Sequence, residues 1–186
     1  MIVTKSGKTV QPGDFAAVRT TGEISRLIKI GEWSALRARF FPRSVPSGSE
    51  DWEHAIFYVG GDKDMILEAE PGGAQLVPFH YNPSDVLWSA ENTALDLTSE
   101  QRGLASSIAA KYVGTPYSFL DYEAIALHSL HIPAPGLKRY IKSTQHLICS
   151  QLADQCRQDM NSHLFNDNRW PGYVDPLDLA LLIEHS

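Results

Sequence analysis

The chain has 186 residues, 43% of them hydrophobic and 20% charged, with 16 Lys and Arg against 22 Asp and Glu for a formal net charge of −6. That length fits one domain spanning 1–186 around a single core, and the composition excludes disordered and fibrous classes. The acidic balance excludes the broad basic face that phosphate-backbone binding requires, so no nucleic-acid partner is expected.

In chain order, Pro12-Gly13-Asp14 reads as a turn and Phe15 to Arg19 as a short strand. Ile24, Leu27, Ile28 and Gly31 fall at helical spacing, which predicts a short helix over 22–32. The stretch 42–51, rich in Pro, Ser and Gly, is a polar loop. Trp52 to Val59 alternates as a strand, Gly60 to Asp64 is a turn, and Met65 to Ala69 returns as the partner strand. Pro71-Gly72-Gly73 ends that strand; Gln75 to Pro78 and Val86 to Ala90 predict two more.

Thr98, followed three residues later by Gln101, matches a capping box, and Leu104, Ile108 and Tyr112 line one face of the helix it opens. Gly114 and Pro116 end that helix. A second helix is predicted over 119–130 and a turn of helix over 137–141, inside a loop-like stretch over 131–146. Cys149, Leu152, Ala153 and Cys156 fall at i, i+3, i+4 and i+7, predicting a helix to about Met160. Asp175-Pro176 supplies an N-cap with Pro at the first helical position for a last helix, Leu177 to Glu184. A few strands in an antiparallel sheet with helices on either side in sequence make an α+β fold.

The longest apolar stretches, Ala55 to Val59 and Leu179 to Ile183, fall far short of the roughly 20 residues of a spanning helix, so no integral membrane segment is expected. The first residues lack the apolar centre of a secretory signal, which gives a cytoplasmic location as the expectation. Cys149 and Cys156 on one helix would stand roughly 10 Å apart, too far for a disulfide, and both are expected to be reduced.

Three features carry chemistry. A helix beginning at Cys149 would set its free N–H groups and dipole beside a thiolate, although a buried structural cysteine has the same pattern. His54, near the start of an apolar strand, is the residue type that serves as base for a cysteine nucleophile, or it is a structural histidine. Glu68 and Glu70 share one face of the returning strand. A simple hairpin places Glu70 opposite His54 and Glu68 on the diagonal, and pattern alone does not choose between them. The spacings His128-x-x-His131 and His146-x-x-Cys149 suit metal ligands, but no CxxC pair or HExxH accompanies them, and neither a metal nor another cofactor is expected.

These residues, in this order, resemble the NlpC-type cysteine hydrolases of the papain-like superfamily, in the circularly permuted branch of YiiX-like and lecithin:retinol acyltransferase-like proteins. The matching pieces are Pro12-Gly13-Asp14-Phe15, the histidine strand Trp52 to Gly60, Ile66-Leu67-Glu68-Ala69, Gly114-Thr115-Pro116-Tyr117, Ile148-Cys149-Ser150-Gln151-Leu152 and Val174 to Leu179. The permuted branch places the histidine strand before the cysteine helix, as this chain does.

The resemblance implies a papain-like fold with Cys149 as nucleophile, His54 as base and Glu68 as the orienting residue. Many relatives carry His at the third position, and relatives often have Tyr-Asp where Tyr117-Ser118 stands; Tyr117 is placed near the site on this likeness. It further implies amide hydrolysis through a thioester, on a peptide-like substrate such as cell-wall peptide, or acyl transfer and hydrolysis on lipids. Lipid handling would use an apolar groove with Trp33, Phe40, Phe41 and Trp52 as lining. A catalytically inactive binding module on the same fold is the alternative of a different class.

Overall fold

The computed structural model describes residues 1–20, 52–117, 147–165 and 174–185. The helices predicted over 22–32 and 119–130, the turn of helix over 137–141 and the loop 42–51 lie outside these. Among the described residues the protein is α+β, with one five-stranded antiparallel sheet and four helices. The strands are β1 (Phe15–Val18), β2 (His54–Gly60), β3 (Met65–Glu70), β4 (Gly73–Pro78) and β5 (Val86–Trp88). They stand in the order β4-β3-β2-β1-β5, which puts β2 at the centre.

Alternation along β2 divides the core. Phe57 and Ala55 join Phe15, Leu67 and Ala69 on the side where the helices pack, while Ile56 and Tyr58 join Ala16, Val18, Ile66 and Trp88 on the other. Two-sided burial explains why β2 is nearly continuous in apolar residues. The β2–β3 hairpin carries an irregularity between Tyr58 and Gly60, and the Tyr58 hydroxyl closes the turn by donating to Asp64 Oδ1 at 2.7 Å.

The β5 strand is shorter than its sequence pattern suggests. Phe15 N–H donates to the Ser89 side chain, and the chain turns into a 3-10 segment, Ser89–Glu91. The helix opened by Thr98 is two helices, α1 (Ser99–Gly103) and α2 (Ala105–Tyr112). The capping box at Thr98 and Gln101 forms as expected. Gly103 weakens the continuation, Leu104 N–H bonds back to Gln101 O at i−3, and Leu104 is exposed. Of the predicted face, Ile108 is buried and Tyr112 packs half-buried against the core, while Ala105 and Ala109 take the buried positions that Leu104 does not.

Helix α3 (Cys149–Asp159) buries all four residues of its predicted stripe against β2 and β3. Helix α4 (Pro176–His185) is capped reciprocally: Asp178 N–H donates to Asp175 Oδ1 at 2.7 Å and Asp175 N–H to Asp178 Oδ2 at 3.3 Å. Ser150 Oγ donates to Val174 O at 2.7 Å, which ties the start of α4 to the start of α3. Cys149 and Cys156 are both buried thiols outside any disulfide.

Gly13, with φ +92°, stands where strand β1 is entered, and a Cβ there would lie 2.6 Å from both Leu97 Cδ1 and Met160 Cε. Gly13→Ala combines left-handed backbone strain with overpacking and is expected to lose about 2–4 kcal/mol in urea unfolding. Gly103→Ala, in open space at the end of α1, should gain about 0.5–1 kcal/mol instead.

Candidate active site

The ladder between β2 and β3 pairs Ile56 with Glu68. Continued by two residues, it sets Glu70 across from His54 and Glu68 on the diagonal, as a simple hairpin predicts. The side chains make the choice that register leaves open. His54 Nε2 stands 3.6 Å from Glu68 Oε2, with His54 8% and Glu68 2% exposed, while Glu70 is exposed. At that distance the two form an ion pair without a direct hydrogen bond.

Cys149 is the first residue of α3 and His54 the first of β2, so the two meet where strand and helix begin. The thiol faces the imidazole closely enough for a side-chain hydrogen bond. Ile148, in extended conformation, precedes the helix without a side-chain cap, and its N–H donates to Gln151 Oε1 at 3.1 Å. That bond is half of a capping box, and it fixes how the helix start presents Cys149.

Burial by itself would lower the basicity of His54, and it is outweighed by the negative charge and hydrogen bond of Cys149 and by Glu68, so its pKa is raised to about 10. Burial works to raise Glu68, but the neighbouring His54 imidazolium and the hydrogen bond from Tyr81 hold its carboxyl below the usual carboxylate range. Tyr81 O–H donates to the same Glu68 Oε2 at 2.7 Å, and burial followed by this carboxylate pushes the phenol far up, so it remains a donor. Cys156 lies mid-helix, and burial pushes its thiol up as well, which leaves it inert at neutral pH.

The donor atoms of His54, Glu68 and Glu70 lie within 4.8 Å of one another. Glu68 Oε2 already accepts from the Tyr81 hydroxyl at 2.7 Å and faces His54 Nε2 at 3.6 Å, so this carboxylate is engaged by two neighbours at one oxygen. The His128/His131 and His146/Cys149 spacings rest on histidines outside the described residues.

Tyr117 bridges to Leu147, two residues before Cys149, and Leu147 N–H donates to Pro116 O at 3.2 Å. Its backbone is thereby joined to the segment that leads into α3. Trp52 is placed differently. It is 6% exposed, packs with Ala17, Leu177 and Ala180, and carries the Arg19 guanidinium 4.4 Å above its ring. It lines a cavity of about 250 Å³ together with Leu87 and Trp88; Cys149, His54 and Glu68 are not among its lining residues. Trp33, Phe40 and Phe41 lie outside the described residues.

Two contributors carry little sequence signal. Gln151, three residues after Ile148, is legible as the N3 partner of a cap. Tyr81 follows the end of β4 in coil and fits no pattern. Neither a protein-family model nor a curated protein matches this chain. Among the described residues no helix is long and apolar enough to cross a membrane.

Proposed function

We propose that the protein is a cysteine-dependent hydrolase of amide bonds, a circularly permuted papain-like domain of the NlpC type. The observation that carries this reading is the buried cluster in which the His54 imidazole has both the Cys149 thiol and the Glu68 carboxylate as partners. A thiol is activated when its proton passes to a neighbouring imidazole whose far side is held by a carboxylate.

In this mechanism His54 holds the proton given up by Cys149. The thiolate attacks the amide carbonyl, with the N–H of Cys149 at the helix start among the donors to the oxyanion. His54 protonates the leaving amine and a thioester remains. Water, deprotonated by His54, then releases the acid and regenerates the thiol. Glu68 stays ionised throughout and orients the ring. The substrate class favoured is a peptide amide of the cell-wall stem type.

Since Cys149 and Glu68 keep the proton on His54 up to about pH 10, the imidazolium is present across the neutral range and is lost only as pH rises through that value. The attraction is reciprocal, so thiol and imidazole titrate as a pair. Alkylation by iodoacetamide, mapped by peptide mass, should therefore modify Cys149 rapidly and Cys156 not at all, with a rate that stays nearly flat between about pH 6 and 8. In His54→Ala the profile should centre at or above the ordinary thiol value of about 8.5, with a loss of about tenfold at pH 6. Identical profiles in the two proteins would remove the imidazole from the reading. Incubation with muropeptides and with acylated lipids separates peptide from lipid substrates, and turnover of muropeptides is the expected result.

One observation favours a second reading, a binding module without turnover: Cys149 is only 1% exposed. A thiol that resists iodoacetamide at every pH in the folded protein would select that alternative.

A further inference from the structure

Glu68 has two neighbours at one oxygen. His54 Nε2 is 3.6 Å from Oε2, and the Tyr81 hydroxyl, arriving from the segment after β4, is 2.7 Å from the same atom. The Tyr81 ring is also 5.9 Å from the His54 ring and 4.2 Å from His80. A carboxylate at the end of a strand side chain turns freely about its last bond unless something holds it, and a single short bond from a rigid phenol is enough to do so. We propose that Tyr81 is a positioning residue of the active site, which locks the Glu68 carboxylate in the orientation that pairs with His54 and so completes a four-membered cluster of Cys149, His54, Glu68 and Tyr81.

The inference rests on the thiol–imidazole reading given above and extends it by one residue. A phenol suits the position because it donates one hydrogen bond without bringing a charge. Lys or Arg there would compete with the imidazolium for Glu68, and a water would not fix the carboxylate plane. The groups that face His54 are Cys149 from α3, Glu68 and Glu70 from β3, and Tyr81; His80 acts on Glu68 from the same segment as Tyr81. Of these, Tyr81 is the one that donates a short hydrogen bond to the orienting carboxylate.

The test compares Tyr81→Phe, Glu68→Gln and the double variant in the full chain, reading the NMR titration midpoint of the His54 ring and the rate of Cys149 alkylation by iodoacetamide at pH 7. Tyr81→Phe keeps the aromatic contacts and should melt as the unsubstituted protein does. Its His54 midpoint should nonetheless move down by about one pH unit and its alkylation rate fall several-fold. Because Tyr81 acts through Glu68, the double variant should be no worse than Glu68→Gln alone. Unchanged His54 titration and unchanged alkylation in Tyr81→Phe would overturn the proposal, and so would full additivity in the double variant. If instead the unsubstituted protein shows His54 titrating near 6.5 and indifferent to Cys149→Ala, the thiol–imidazole reading itself fails, a result that the Tyr81 comparison does not produce.

Discussion

Cys149→Ala is expected to reduce amide hydrolysis by about a thousandfold or more, to the rate set by whatever binding and oxyanion donors remain. The expectation follows from the proposed mechanism, in which the Cys149 sulfur is the group that forms a bond to the substrate. Cys156, on the same helix, is buried with its thiol pushed up, and does not substitute. His54→Ala should cost a comparable factor, and the double variant should be no slower than either single one, because groups that act as a unit are not additive. Cys149 is fully buried against the α3 stripe, so each variant is checked by its urea midpoint and only folded protein is assayed. Residual turnover within tenfold of the parent in folded Cys149→Ala would move the chemistry to another group.

Much of this arrangement was readable in the amino-acid order. Period-2 alternation gave the β2–β3 hairpin and its register, because one face of β2 meets α3 and the other meets Trp88 and Ile66, so a slip by one residue would exchange the two sets. The stripe of Cys149, Leu152, Ala153 and Cys156 gave α3, and Asp175-Pro176 gave the start of α4. The choice between Glu68 and Glu70 was not readable from pattern. Register puts Glu70 opposite His54, yet the carboxylate that pairs with the imidazole is the diagonal one, held by a phenol that lies outside both strands. A contact made by a coil residue has no periodicity to betray it. Trp52 stands two residues before the histidine in sequence, and its ring packs beside Ala17 and α4. The break at Leu104 was missed because a capping box announces where a helix starts and says nothing about where Gly103 interrupts it.

Arg157→Ala is expected to destabilise the protein by about 3–5 kcal/mol. Arg157 stands at i+8 from Cys149 and so continues the apolar stripe, but it is the largest fully buried side chain among the described residues, 1% exposed. Its guanidinium donates to Gly13 O at 3.2 Å, Leu95 O at 2.6 Å and Ser162 Oγ at 3.0 Å, and lies 5.5 Å from the Phe15 ring. Burial lowers its pKa to about 10, which still leaves it charged at neutral pH. Truncation leaves two buried carbonyls without this donor and opens a cavity, and both effects run in the same direction. Met in its place restores volume but no donor and should recover only part of the loss. Lys restores charge but offers a point rather than a fork, so it does not reach three separated acceptors either. A thermal melt should show Arg157→Ala about 10 °C below the parent, by the usual scaling for a chain of this size. Because Gly13 precedes β1 and Leu95 precedes α1, the guanidinium fixes the far end of α3 to two other parts of the chain, about 12 Å along the axis from Cys149. Below its own melting range the variant should therefore keep the pH profile of Cys149 alkylation, since anchoring the helix and activating the thiol are carried by opposite ends of the same element.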